Sequence, residues 1–176
     1  MLRVVFTSSS GFVSAAIRWI TRSRASHVGL QIDLDRVIHA DIGGVLDDTM
    51  SGFLAKRKLL AAYELKHNIE AAGTITRMLA HVGQNYDFDG MIWNIVPILS
   101  WRWFKVRLGN PLADQNEFWC SEYVVTALRE FLGPGLTHLI PEIQGLDAEV
   151  VTPGGLQRRI ARGSSFVRVN IGGWKH

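Results

Sequence analysis

The sequence predicts an α+β domain in which an antiparallel sheet packs against a helix that begins at Cys120. Two patterns carry this reading. His27 to Ile32 and Arg36 to Ala40 are short runs of alternating hydrophobicity joined by a polar break, and Cys120, Val124, Val125, Leu128, Phe131 and Leu132 recur at helical spacing. Composition is the third observation. The 176 residues are 47% hydrophobic and 20% charged, with six Trp and eight Phe. A chain of this size buries about two-thirds of its unfolded surface, so one domain over residues 1–176 needs neither metal nor disulfide to hold it.

Taken in order, Val4 to Phe6 is a short apolar strand, and Ser8-Ser9-Ser10-Gly11 is a turn and cap cluster before a helix marked by Phe12, Ala15, Ala16, Trp19 and Ile20. The two alternating runs form a hairpin across Asp33-Leu34-Asp35. Ile42-Gly43-Gly44-Val45 reads as a further turn, Ala61 to Leu65 as a strand, and about Ile69 to Val82 as a helix. Tyr86-Asp87-Phe88-Asp89-Gly90 is a polar turn before a Trp-rich block, and residues 110–116 form a loop. The Cys120 helix is stopped by Gly133-Pro134-Gly135. Beyond it the chain is looser, with Pro141, Pro153, Gly154 and Gly155, and ends in a strand-like Phe166 to Val169.

Charge excludes one class of partner. Nineteen Lys and Arg against 16 Asp and Glu leave a net charge of +3, with no basic run that could track phosphates, so nucleic acid is not expected. A single cysteine cannot form an intrachain disulfide or a four-Cys zinc site. The apolar stretch at the N-terminus is too short for a signal peptide, and the block from Met91 to Phe104 contains Pro97 and Arg102 and falls short of a membrane span. The expectation is a protein that is cytoplasmic at synthesis.

The chemistry centres on Cys120. A thiol at a helix start has its thiolate favoured by the dipole and by free N–H groups, and the same groups can hold the oxyanion formed when sulfur adds to a carbonyl. The alternative is a buried apolar cysteine. Two histidines bear on the choice. With the turn near Leu34 and Gln31 opposite Asp35, Gly29 faces Val37 and His27 faces His39, which sets two imidazoles side by side with open space at Gly29. His27 then serves as general base and His39 as the group that orients it, with Asp41 as a rival orienter two residues on. Two His plus Cys120 also make an incomplete zinc set, which ranks below the catalytic reading because no further ligand lies nearby in sequence.

Ser26-His27-Val28-Gly29-Leu30, Val37-Ile38-His39-Ala40, Tyr86-Asp87-Phe88 and Trp119-Cys120-Ser121-Glu122-Tyr123-Val124 together resemble the permuted branch of the NlpC/P60 superfamily. The likeness runs through about residues 1 to 155 and includes Val151-Thr152-Pro153, which is similar to the family's closing motif. It implies a circularly permuted papain-like fold in which the His-bearing strands precede the Cys-bearing helix. It further implies Cys120 as nucleophile, His27 as base and His39 as the third polar residue, with no cofactor. Many bacterial members carry Glu where His39 stands, whereas the lecithin:retinol acyltransferase-like members carry His.

The expected activity is therefore a cysteine hydrolase that cleaves an amide bond through an acyl-enzyme, with cell-wall peptide as first substrate. The alternatives are a lipid-directed acyltransferase or thioesterase and a catalytically idle binding module. Glu122 in the first helical turn is read as scaffold, Asp87 and Asp89 as turn caps. Trp93, Trp101 and Trp103, with Arg102, Lys105 and Arg107, are core by default and would suit peripheral membrane contact or an acyl-chain groove.

Overall fold

Val4, Val5 and Phe6 are apolar at consecutive positions because both faces of their strand are covered. In the computed structural model this strand, β1 (Arg3–Ser8), lies inside a six-stranded antiparallel sheet of order β4-β3-β2-β1-β5-β6. The structure describes residues 1–41, 43–66, 71–84, 119–130, 140–148 and 151–171. The remaining strands are β2 (His27–Gln31), β3 (Arg36–Asp41), β4 (Gly44–Thr49), β5 (Lys58–Leu65) and β6 (Phe166–Val169). Five helices lie among the described residues: α1 (Phe12–Thr21), α2 (Met50–Leu54), α3 (Ala71–Ala80), α4 (Cys120–Glu130) and α5 (Pro153–Arg162). The α+β class and the antiparallel sheet are as the sequence predicts. None of these helices is long and apolar enough to cross a membrane.

The sheet separates two apolar clusters. On one face Val4, Phe6, Val28, Leu30 and Ile38 pack with Tyr123, Val124 and Leu128 of α4 and with Leu156 and Ile160 of α5. On the other, Val5, Val37 and Ala62 meet Met50, Phe53 and Leu54 of α2. Alternate residues of each strand thus serve different layers. Helix α4 lies across β2 and β3, which brings its first residue to the strands that carry the histidines.

Three elements depart from the sequence reading. The segment read as a turn at 42–45 leads into strand β4, which pairs with β3 from Asp41↔Gly44 to Arg36↔Thr49. Helix α2 follows at once, capped by the Thr49 hydroxyl, which accepts the Gly52 N–H at 3.0 Å. The looser region around Pro153 is helix α5, where Thr152 accepts the Gly155 N–H at 3.1 Å and Pro153 occupies the first turn. Tyr86, Asp87, Asp89 and the Trp-rich block fall outside the described residues.

Candidate active site

The hairpin that carries the histidines is closed by Asp33, whose Oδ1 accepts the N–H groups of Asp35 and Arg36, both at 2.9 Å. Ile32 N–H then bonds the Arg36 carbonyl at 3.0 Å, leaving a three-residue loop. Gln31 therefore pairs with Val37 rather than Asp35, and Leu30 with Ile38. The register differs by two residues from the expected one. A shift of two leaves every side chain on its face, so the imidazoles still meet, now as diagonal neighbours. His27 Nε2 lies 3.2 Å from His39 Nδ1, with the rings edge-on at 82°.

Extending this register puts Gly29 opposite His39. No open space is left there. A Cβ on Gly29 would stand 2.9 Å from Val37 Cγ1, 3.1 Å from His39 Cβ and 3.2 Å from Phe53 Cε2. Glycine is thus what lets Phe53 pack beneath both rings, at 4.8 Å from His39 and 5.8 Å from His27. Gly29→Ala is expected to destabilise the fold by about 1–3 kcal/mol through overpacking. Urea unfolding of the variant measures this, and an unchanged midpoint would mean that the layer yields without strain.

Cys120 reaches the same place from the opposite face. On β2 the N–H groups of Ile32, Leu30 and Val28 point toward β3, and the ladder ends at Leu30↔Ile38. The next rung would join the Val28 N–H to the Ala40 carbonyl. The N–H groups of Val28, at this end of β2, and of Cys120 and Ser121 at the start of α4 act on the Cys120 thiol in the direction that favours its thiolate. With α4 packed across β2 and β3, the thiol lies near Val28, the residue that follows His27. Glu122 Oε2 accepts the Trp119 N–H at 3.4 Å, a capping-box contact that fits its expected scaffold role. Ser121 Oγ donates to the Val151 carbonyl at 2.7 Å and ties the helix to the segment before α5. Among the described residues no hydrogen bond joins Cys120 to His27; the recorded partner of His27 is His39.

Electrostatics set the resting protonation. Burial pushes the Cys120 thiol up to about 11, against the opposing pull of the Val28, Ser121 and Cys120 N–H groups and of Arg57. Desolvation thus overrides the thiolate preference expected of a helix start. Burial, then His39, then Arg57 hold His27 well below the ordinary imidazole value. His39 is lowered to about 3 by burial and then by Arg57. The site rests as a neutral thiol beside two neutral imidazoles.

The neutral pair has a preferred tautomer. His39 Nε2 is buried without a hydrogen bond, and the nearest acid is Asp48, with Oδ2 at 3.9 Å. A proton on His39 Nε2 faces that carboxylate, so Nδ1 is left to accept from His27 Nε2–H. The His27 lone pair then sits on Nδ1. Two of the buried polar side-chain atoms without a partner among the described residues belong to this neighbourhood: His39 Nε2, and Thr7 Oγ1 on the residue paired with His27.

Sequence reasoning passed over Phe53, Asp48, the Val28 N–H and Arg57. The guanidinium of Arg57 pairs with Asp41, donates to the Phe53 carbonyl at 2.8 Å and lies 5.0 Å from the Phe53 ring centre. The i, i+4 spacing of Phe53 and Arg57 was a signal, although only the short helix α2 gives it meaning. As for metals, His27, His39 and Asp41 bring three candidate donor atoms within 4.8 Å, and Cys120 is not part of that group. The imidazole nitrogens face each other and Asp41 is held by Arg57, so the geometry is that of a hydrogen-bonded pair beside an ion pair. Comparison with models of known protein families and with curated proteins finds no match for this chain.

Proposed function

We propose that this protein is a cysteine hydrolase that transfers an acyl group from an amide or ester to Cys120 and then to water. One observation carries the reading: α4 packs across β2 and β3, where the Val28 N–H acts on the Cys120 thiol, and Val28 follows a histidine whose Nε2 is held by a second histidine. His27 Nδ1 takes the thiol proton as sulfur attacks the carbonyl carbon, which converts the neutral pair to a product-side imidazolium. The N–H groups of Val28, Cys120 and Ser121, which favour negative charge at the sulfur, are the candidate donors to the oxyanion. The imidazolium returns the proton to the leaving amine or alcohol as the C–N or C–O bond breaks. Water, deprotonated by the same nitrogen, attacks the thioester carbonyl; the C–S bond breaks, the acid leaves and the imidazolium returns its proton to the Cys120 sulfur.

The fold that goes with this chemistry is the circularly permuted papain-like one, supported by histidine strands that precede the cysteine helix in the chain. Amide hydrolysis of a cell-wall-type peptide is the first substrate class, resting on the sequence resemblance. A second reading, an idle binding module with a structural cysteine, is favoured by one observation: Cys120 is only 3% exposed and its thiol is raised by burial.

Incubation with p-nitrophenyl acetate followed by intact-mass measurement separates the two. The proposal expects one acetyl group on Cys120 in the parent, none in Cys120→Ala and slow formation in His27→Ala. Acetylation at equal rates in the parent and in His27→Ala, or none in the native parent, would favour the idle module. A panel of peptide amides and phospholipids then separates amide from lipid chemistry.

A further inference from the structure

Asp41 has the stronger charge, yet His39 holds His27, and the structure gives a reason. We infer that Arg57 is a positioning residue that clamps Asp41 away from the imidazole pair, so that a neutral histidine and not a carboxylate orients the base. The inference rests on the proposed role of His27. Its support is geometric. Asp41 presents a carboxylate oxygen within 4.8 Å of a ring nitrogen of each histidine, so a modest turn of its side chain would bring it to the pair. That carboxylate instead pairs with Arg57 Nη2.

Arg57 is fixed on two further sides, by the Phe53 carbonyl at 2.8 Å and by the Phe53 ring, which also packs against both imidazoles. One guanidinium thus ties the carboxylate, the supporting ring and the end of α2 into a single unit. The charged and titratable groups around the pair come from each neighbouring element: Asp41 on β3 itself, Asp48 on β4 at 3.9 Å from His39, Arg57 between α2 and β5, and Cys120 on α4. Arg57 lowers both imidazoles and favours the Cys120 thiolate, the direction expected of a fixed cation facing all three. The clamp matters chemically because a carboxylate partner would raise the His27 midpoint and stabilise its imidazolium more than a neutral histidine does.

The test is a proton titration that needs no substrate. ¹H–¹⁵N spectra of the imidazoles, recorded from pH 8 down to the lowest pH at which the fold persists in the Cys120→Ala background, give the His27 midpoint or its upper limit. With Arg57 present, the His27 midpoint is expected well below the ordinary imidazole value. In Arg57→Gln the midpoint is expected to rise by about one unit or more, as for an imidazole that gains a carboxylate partner. Adding Asp41→Asn to Arg57→Gln should remove most of that rise. Arg57→Lys, which keeps the charge and a donor for Asp41, should titrate like the parent, and its spectrum reports whether the packing on Phe53 survives. A His27 midpoint that does not move in Arg57→Gln, or a rise that persists in the double variant, would overturn the clamp. Because the readout is protonation, the clamp can hold while turnover is absent, in which case the hydrolase proposal falls alone.

Discussion

Cys120→Ala is expected to lower turnover by roughly three orders of magnitude or more, and His27→Ala by a comparable factor. The first removes the atom that bonds to the acyl carbon. The second removes the only imidazole with a lone pair turned away from its partner, since His27 Nε2 is engaged by His39 at 3.2 Å. With the thiol raised to about 11, almost no thiolate is present at neutral pH, so attack depends on proton removal within the step itself. Loss of the base should therefore hurt here more than in a site that rests as a preformed ion pair. Residues that act as one unit do not add, and the double variant should be about as inactive as either single one. His39→Ala should be milder, about a hundredfold, because it leaves the base in place but frees its ring to turn. Steady-state rates on the ester that acetylates the parent, with circular dichroism to confirm folding, measure all four variants. Full activity in His39→Ala together with loss in Asp41→Ala would assign the orienting role to Asp41 instead.

The pairing of His27 with His39 was legible because side-chain alternation survives an error of two residues in register, whereas an error of one would have sent one ring to the other face. The register itself was not legible. It depends on the Asp33 side chain closing the loop, and nothing in an Asp-Leu-Asp triplet says which neighbours its oxygens will bind. Cys120 at a helix start was readable from apolar spacing and from Glu122 three residues after Trp119. Its protonation was not readable, since helix dipole and desolvation act in opposite directions and only burial decides which is larger. Strand β4 and helix α5 were hidden by glycines and a proline that resemble loop punctuation. In place, Pro153 opens a helix after its Thr152 cap. Arg57 carried only its i, i+4 spacing from Phe53 as a signal, because its other partner, Asp41, meets it only once α2 packs on β3.

Stability is expected to fall as the pH is lowered from about 6.5, well before the carboxylates titrate. Two histidines are held neutral in the fold, His39 at about 3 and His27 also well below its ordinary value. The unfolded chain binds protons at both rings below about pH 6.5 while the folded one does not, so their contribution is fully present above that pH and is lost as pH falls toward the folded values. For His39 alone, a folded value of about 3 corresponds to a loss of about 2 kcal/mol at pH 5, with His27 adding in the same direction. Against the roughly 5–15 kcal/mol by which domains are usually stable, that is a large share. The window between pH 6.5 and 5 is diagnostic, because Asp and Glu contribute little there and Cys120 remains protonated in both states. Urea unfolding at pH 7 and pH 5 should show the loss, and His39→Gln should remove the His39 share of the pH dependence whatever it does to stability at pH 7. Equal stability at the two pH values would mean that the imidazoles accept protons in the folded state, and the neutral resting pair from which the attack of Cys120 is derived would be wrong.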